Sequence, residues 1–311
     1  MQLQSDNRGL ATLCVLTAIG LASSQDAVVK YMSAGYPAYE TLLFRCIGTI
    51  PVIAFMLWRQ GDGWSISTPH WPRVLLRGVI LAIAYLAFVL AIAAMPIANA
   101  VAIYFTMPFF VAGLAGPLLG ERVRLHRWLA IIAGFVGVLI MVRPGAGVFE
   151  PAALLALLSA LGYAVGQMLG RPLSQKVAPI VIATWQNFVY AAMAVGIGIL
   201  FNTVDFGTFE HPSLVFLSRP WVWPGAFDAF LLLGHGVLAA CAMILFINAY
   251  RLAETNFVAP FEYSAMIWAV VFGLLLFNDF PDSYTWIGAT IVIVAGILML
   301  LRDRQLDRSL R

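Results

Sequence analysis

The stretch GVILAIAYLAFVLAIAAMPIANAVAIYFTMPFFVAGLAGPLL, residues 78–119, holds no Lys, Arg, Asp or Glu and carries Met95-Pro96 at its middle. It is too long for one crossing, because about 20 apolar residues span the hydrocarbon layer of a bilayer. Pro96 lacks an N–H and breaks the helix there, so the stretch reads as two antiparallel spans near 73–94 and 97–119. Hydropathy and breaker residues outside it place further spans near 10–30, 38–58, 127–143, 151–170, 179–200, 226–250, 255–277 and 283–301. The expected fold is an all-α membrane protein of ten transmembrane helices.

Composition points the same way. The chain of 311 residues is 62% hydrophobic and 11% charged, where a soluble domain carries about 25% charged residues. A net charge of +3 with scattered basic residues gives no nucleic-acid footprint. Cys14, Cys46 and Cys241 all fall inside apolar stretches and read as small buried hydrophobes, not as a disulfide set. CxxC and HExxH spacings are absent, so neither a metal nor a cofactor is expected. Met1–Gly9 is polar and the run from Leu10 is too long for a signal-peptide core, which makes it a permanent first span.

The basic residues orient the bundle. With the N-terminus inside, the cytoplasmic segments hold Arg8, Arg59, Arg73, Arg77, Arg122, Arg124, Arg127, Arg171, Lys176, Arg251, Arg302, Arg304, Arg308 and Arg311. The other side holds Lys30, Arg143 and Arg219. Fourteen against three follows the positive-inside rule and places both termini in the cytoplasm of a bacterial inner membrane. Trp221 and Trp223, in the long connection 201–225, fit an interfacial aromatic belt.

Five spans per half give the halves opposite orientations. Ala18–Gln25 aligns with Ala160–Gln167, sharing Ala, Gly, Ala and Gln at matching places; Asn99 aligns with Asn256, and Trp128 with Trp286. The chain therefore reads as two inverted five-helix repeats, residues 1–144 and 145–311, an arrangement characteristic of carriers.

An ionisable group at bilayer depth costs at least about 2.5–3.5 kcal/mol, so each one asks for a role. Arg45 and Glu262 are the clearest, as a cross-bundle pair or as solute contacts. Asp26 and Lys30, four residues apart, are placed to pair with each other. His235 is the one histidine within a span and a candidate proton relay. Gln25, Gln167 and Asn187 supply hydrogen bonds, and Tyr85, Tyr104, Tyr163, Trp185 and Trp268 supply aromatic walls. Gln25 is the repeat partner of Gln167, and Arg45 of Asn187. A polar organic solute needs both kinds of group around one cavity. Pro51, Pro108 and Pro260 are expected to interrupt their helices.

Met107-Pro108-Phe109-Phe110, then Pro117-Leu118-Leu119-Gly120-Glu121-Arg122 and Gly134-Phe135-Val136-Gly137-Val138, resembles the first repeat of the EamA-type drug/metabolite transporters. The second copy departs from that pattern, with Phe277-Asn278-Asp279 in place of Leu-Gly-Glu and Ala265 near the position of the helix-four proline. Within the family the layout looks like the YddG-type amino-acid exporters. That resemblance implies a central cavity lined by helices one to four and six to nine, with five and ten peripheral. The expected function is secondary export of amino acids or related small metabolites by alternating access, with proton coupling open and membrane lipid as surroundings. A nucleotide-sugar or organic-phosphate exchanger is the rival among carriers, and only Arg45 lies at depth to hold such anions. Clustered catalytic groups are lacking, which argues against an enzyme. Reporter fusions at residue 311 and in the 204–225 connection test the orientation: the first is expected to report cytoplasm and the second the opposite side.

Overall fold

The computed structural model describes residues 7–60, 66–119, 124–143, 150–253 and 255–309. Among them there is no strand, and ten helical segments are long and apolar enough to cross a bilayer. The turn Gly120-Glu121-Arg122, which carries much of the family resemblance, lies outside the described residues.

Spans one to three are α1 (Arg8–Met32), α2 (Ala38–Gln60) and α3 (Trp71–Ala94). The Asn7 side chain caps α1 by accepting from the Leu10 N–H at 3.1 Å. Met95 ends α3 in an extended conformation, and Pro96 starts the reversal into α4 (Ile97–Tyr104). The fourth span continues as α5 (Met107–Leu119), and the fifth is α6 (Leu125–Val142). The second half repeats the plan with α7 (Ala152–Leu173), α8 (Pro179–Thr203), a short α9 (Pro212–Ser218) and α10 (Ala226–Leu252). Its ninth span is α11 (Thr255–Val258), a 3₁₀ segment (Ala259–Ser264) and α12 (Ala265–Phe277), and α13 (Ser283–Ser309) closes the chain.

Spans four and nine are both broken, and at corresponding places: α5 begins at Met107 and α12 at Ala265. Pro260 lies in the second break, whereas Pro108 falls just after the first, in the opening turn of α5. Pro51 corrects the sequence expectation, because α2 runs through it unbroken and its exposed ring faces out of the bundle. The altered second motif also has a physical reading. Asn278 takes a left-handed conformation at φ 53°, a place where glycine or asparagine serves, and the Asp279 N–H that follows it caps α12 by donating to the Gly273 carbonyl at 2.9 Å.

The halves interlock. The two most extensive interfaces are α1 against α10 and α3 against α7, and exchanging the halves maps each onto the other. The next, α6 against α13, maps onto itself. This is the packing signature of an inverted repeat. It is made possible by backbone contact at glycines: a methyl on Gly48 of α2 would strike the Leu233 carbonyl of α10, and one on Gly236 would strike the Arg45 carbonyl. On Gly137 of α6 it would come within 2.7 Å of the Gly288 carbonyl of α13.

One end of the bundle, which the charge count assigns to the outside, is tied by polar contacts. Lys30 reaches Asp279 at 3.0 Å and the Met95 carbonyl at 2.8 Å, so its partner is not Asp26. Arg143 pairs with Asp282. Burial alone would raise the Asp282 carboxyl, but hydrogen bonds from Thr285 and the Arg143 charge outweigh it and hold the group below its usual range. That contribution to stability is present at neutral pH and is lost as pH falls through the lowered value. Trp221 packs on Tyr39 and Phe44, at 6.3 and 6.2 Å between ring centroids, whereas Trp223 is 82% exposed.

Alanine ordinarily improves a helix over glycine by about 1 kcal/mol. Gly48→Ala is expected to reverse that sign and lower the melting temperature of the purified protein. Gly234→Ala, where nothing lies within 4 Å of the added carbon, leaves the melting temperature unchanged or raises it.

Candidate solute-binding site

The Gly48–Gly236 crossing fixes the position of Arg45, three residues before Gly48 on α2. Its guanidinium carbon sits 4.7 Å from the ring centroid of Tyr85 on α3 and 5.3 Å from that of Tyr190 on α8. The two rings stack on each other at 5.5 Å. Arg45 therefore rests on π-faces, and among the described residues no acceptor or carboxylate bonds its guanidinium; Nε is fully buried without a partner. The expected Arg45–Glu262 pair does not form. Glu262, in the 3₁₀ segment, accepts instead from the Tyr250 hydroxyl.

The rings around Arg45 are anchored from several helices. The Tyr85 hydroxyl shares a hydrogen bond of 3.2 Å with Nε2 of His235 on α10, a histidine with 0% exposure whose Nδ1 has no partner among the described residues. Tyr190 donates to the Leu81 carbonyl at 3.0 Å and accepts from Gln186 at 3.2 Å. Gln186 in turn accepts from Arg77 at 3.0 Å, and Arg77 also reaches the Gly166 carbonyl at 3.1 Å. Asn187 donates to the Cys46 carbonyl at 3.2 Å and so ties α8 to α2 one residue from Arg45.

A second aromatic group adjoins the first. Tyr104, at the break of span four, meets Tyr163 of α7 edge-on at 5.5 Å and Phe88 at the same separation. Its hydroxyl lies 3.6 Å from the Met107 sulfur. Gln167 is exposed, yet it shares a face of α7 with Tyr163 and the fully buried Ala156 and Ala160. Leu154 and Leu158 point away on the opposite face. Gln25 on α1 is half-buried, with Oε1 fully enclosed and unpartnered. Trp268 of α12 stacks on Phe272 at 5.7 Å and packs over Gly20.

The structure brings Arg45, Tyr85, His235, Tyr104 and Tyr163 together, with Asn187 beside them. Trp185 stands apart, donating to the Ile66 carbonyl at 2.9 Å within a separate apolar cluster that includes Leu57, Val74 and Val181. Glu262 is engaged with Tyr250. Sequence reading missed Tyr190 and Asp26. Tyr190 was accessible to it, being four residues after Gln186 and three after Asn187 on one helix face. Asp26 was assigned to Lys30, which the fold takes away. Among the described residues no group of three His, Cys, Asp or Glu is placed to hold a metal ion.

Buried polar atoms are ordinarily satisfied. Arg45 Nε, Gln25 Oε1 and His235 Nδ1 are enclosed and unpartnered, and they supply a cation, an acceptor and a ring nitrogen. An interior cluster of that kind, walled by tyrosines, suits a small polar organic molecule.

Comparison with known proteins agrees. The EamA-like transporter family model matches residues 9–143 and again 150–302. A riboflavin transporter of Rhizobium johnstonii is 30% identical over 83% of this chain and 84% of its own. The pseudopaline exporter CntI of Pseudomonas aeruginosa is 30% identical over 89% of this chain and 91% of its own. An S-adenosylmethionine uptake transporter of Rickettsia conorii is 23% identical over 91% and 90%. A solved crystal structure shares the fold at TM-score 0.64 and 21% identity, covering 96% of this chain and 99% of its own. With ten membrane helices, halves that exchange into one another and a family model that matches each half, the chain belongs to the EamA-like transporter family.

Proposed function

We propose that this transporter exports amino acids or closely related small metabolites across the bacterial inner membrane, with both termini in the cytoplasm. Residues 1–144 and 145–311 rock as two units about the interior cluster, exposing it to each side in turn. The observation that carries the reading is the Arg45 guanidinium, resting against the Tyr85 and Tyr190 rings with no protein acceptor among the described residues. A solute carboxylate would complete its hydrogen bonds, and the neighbouring tyrosines would contact an apolar or aromatic side chain. A bulky phosphate ester with several charges is less suited, since Arg77, which reaches the cluster through Gln186, is already engaged with Gln186 and Gly166. A proton is the candidate coupling ion and His235 its candidate carrier, through its bond to Tyr85.

Purified protein in liposomes loaded with labelled amino acids provides the test. Substrate-specific efflux over empty liposomes is expected, with Arg45→Gln lowering it by about 10-fold or more, the worth of a charge-assisted hydrogen bond. Absence of flux across a broad metabolite panel sinks the proposal. Imposing a pH gradient is expected to change the rate in the native protein and not in His235→Gln; a rate indifferent to the gradient excludes proton coupling.

A further inference from the structure

Asp26 lies one helical turn from Lys30, and that lysine is its natural partner on α1. The fold gives Lys30 to Asp279 and to the Met95 carbonyl instead. Asp26 is left half-buried within the first span, and among the described residues no hydrogen bond or ion pair reaches its carboxylate. Its helix packs along α10 and against α3, which carry His235 and Tyr85, and its charge interacts electrostatically with Arg45, Tyr85 and Tyr104. Two opposite charges thus share one interior, each without a bonded partner and without forming an ion pair with each other. A carboxylate and a guanidinium within one weakly polar interior attract strongly. Helix packing that keeps them apart leaves each one free for a group of the opposite sign.

We infer that the solute is a dipolar ion, its negative group held by Arg45 against the Tyr85 and Tyr190 rings and its positive group held by Asp26. Gln25, next to Asp26 and with its own buried unpartnered oxygen, accepts a second hydrogen from that positive group. The inference deepens the proposed function and rests on it: among small metabolites it selects those that keep a free α-amino and a free α-carboxyl group. Asp26 and Arg45 discriminate against molecules bearing only one of the two, because the unmatched charge then stays buried and unpaired.

The experiment uses phenylalanine, methionine and threonine, each beside the amine that lacks its carboxyl and the acid that lacks its amine. Binding is read by ligand-induced thermal shift, and flux by efflux from liposomes. The native protein is expected to bind at least one amino acid about 10-fold or more tighter than either analogue. Asp26→Asn is expected to weaken that amino acid to the level of the acid and leave the acid unchanged. Arg45→Gln weakens it to the level of the amine and leaves the amine unchanged. Asp26→Glu and Arg45→Lys, which keep the charge, retain part of the discrimination and report on folding, together with the size-exclusion profile. Amino-acid efflux with variants that weaken all three ligands equally, or leave the amino acid untouched, overturns the charge assignment and leaves the proposed function standing. Loss of the response to a pH gradient in Asp26→Asn, with all affinities unchanged, likewise overturns it and makes Asp26 a proton carrier. Failure of the native protein to bind or move any of the amino acids overturns both readings.

Discussion

Helices α2 and α10, one from each half, touch backbone to backbone at Gly48 and Gly236, and the candidate binding cluster is built around that contact. Lipid supplies no hydrophobic drive for helices to associate, so close packing of small residues has to do that work. The crossing sets Arg45 one turn from Gly48 and His235 beside Gly236, which brings the charge and the ring to the same depth from opposite halves. Tyr85 then bridges them, with its face toward Arg45 and its hydroxyl on His235. A larger residue at either glycine would separate the halves and dismantle this geometry along with the packing.

The broken spans add the second constraint. Non-helical backbone at membrane depth is tolerated where protein or an aqueous cavity satisfies it. In span four the break falls between Tyr104 and Met107, and the Thr106 hydroxyl closes on the Ile103 carbonyl at 2.8 Å. In span nine the 3₁₀ segment carries Glu262, held by Tyr250 from the preceding helix. Polar side chains stand at both breaks: Tyr104, at the end of α4, meets Tyr163 of α7. Glu262 is satisfied within its own half by Tyr250, and no carboxylate bonds Arg45 among the described residues.

The ten spans and their limits were legible in the sequence because hydropathy length and proline or charge breaks are local properties. The inverted plan was legible from span parity together with weak internal matches such as Gln25 with Gln167. Side-chain partnerships were not. Arg45 and Glu262 looked like a pair because both are buried charges, yet the break in span nine turns Glu262 toward Tyr250. Asp26 and Lys30 looked like a pair because of helical spacing, yet the Asn278 turn delivers Asp279 to Lys30 with a better geometry. Trp185 looked like a cavity wall, although a carbonyl sixty-six residues into the chain holds its indole. In each case a tertiary contact decided among local options that the sequence leaves equal.

The energetics of Arg45 explain why such an arrangement suits a carrier better than a structural brace. Burying the charge at bilayer depth costs at least about 2.5–3.5 kcal/mol. Two tyrosine faces return about 0.5–2 kcal/mol each, depending on how dry the site is. The account comes close to balance without any carboxylate, so the protein folds with the guanidinium unpaired. A protein carboxylate bonded to it would stabilise the fold further and would have to be displaced by every arriving anion. In the proposed mode of binding the aromatic cradle avoids that competition: it supports the cation through its faces and leaves the N–H groups, the part that recognises a planar acceptor, available to a solute carboxylate.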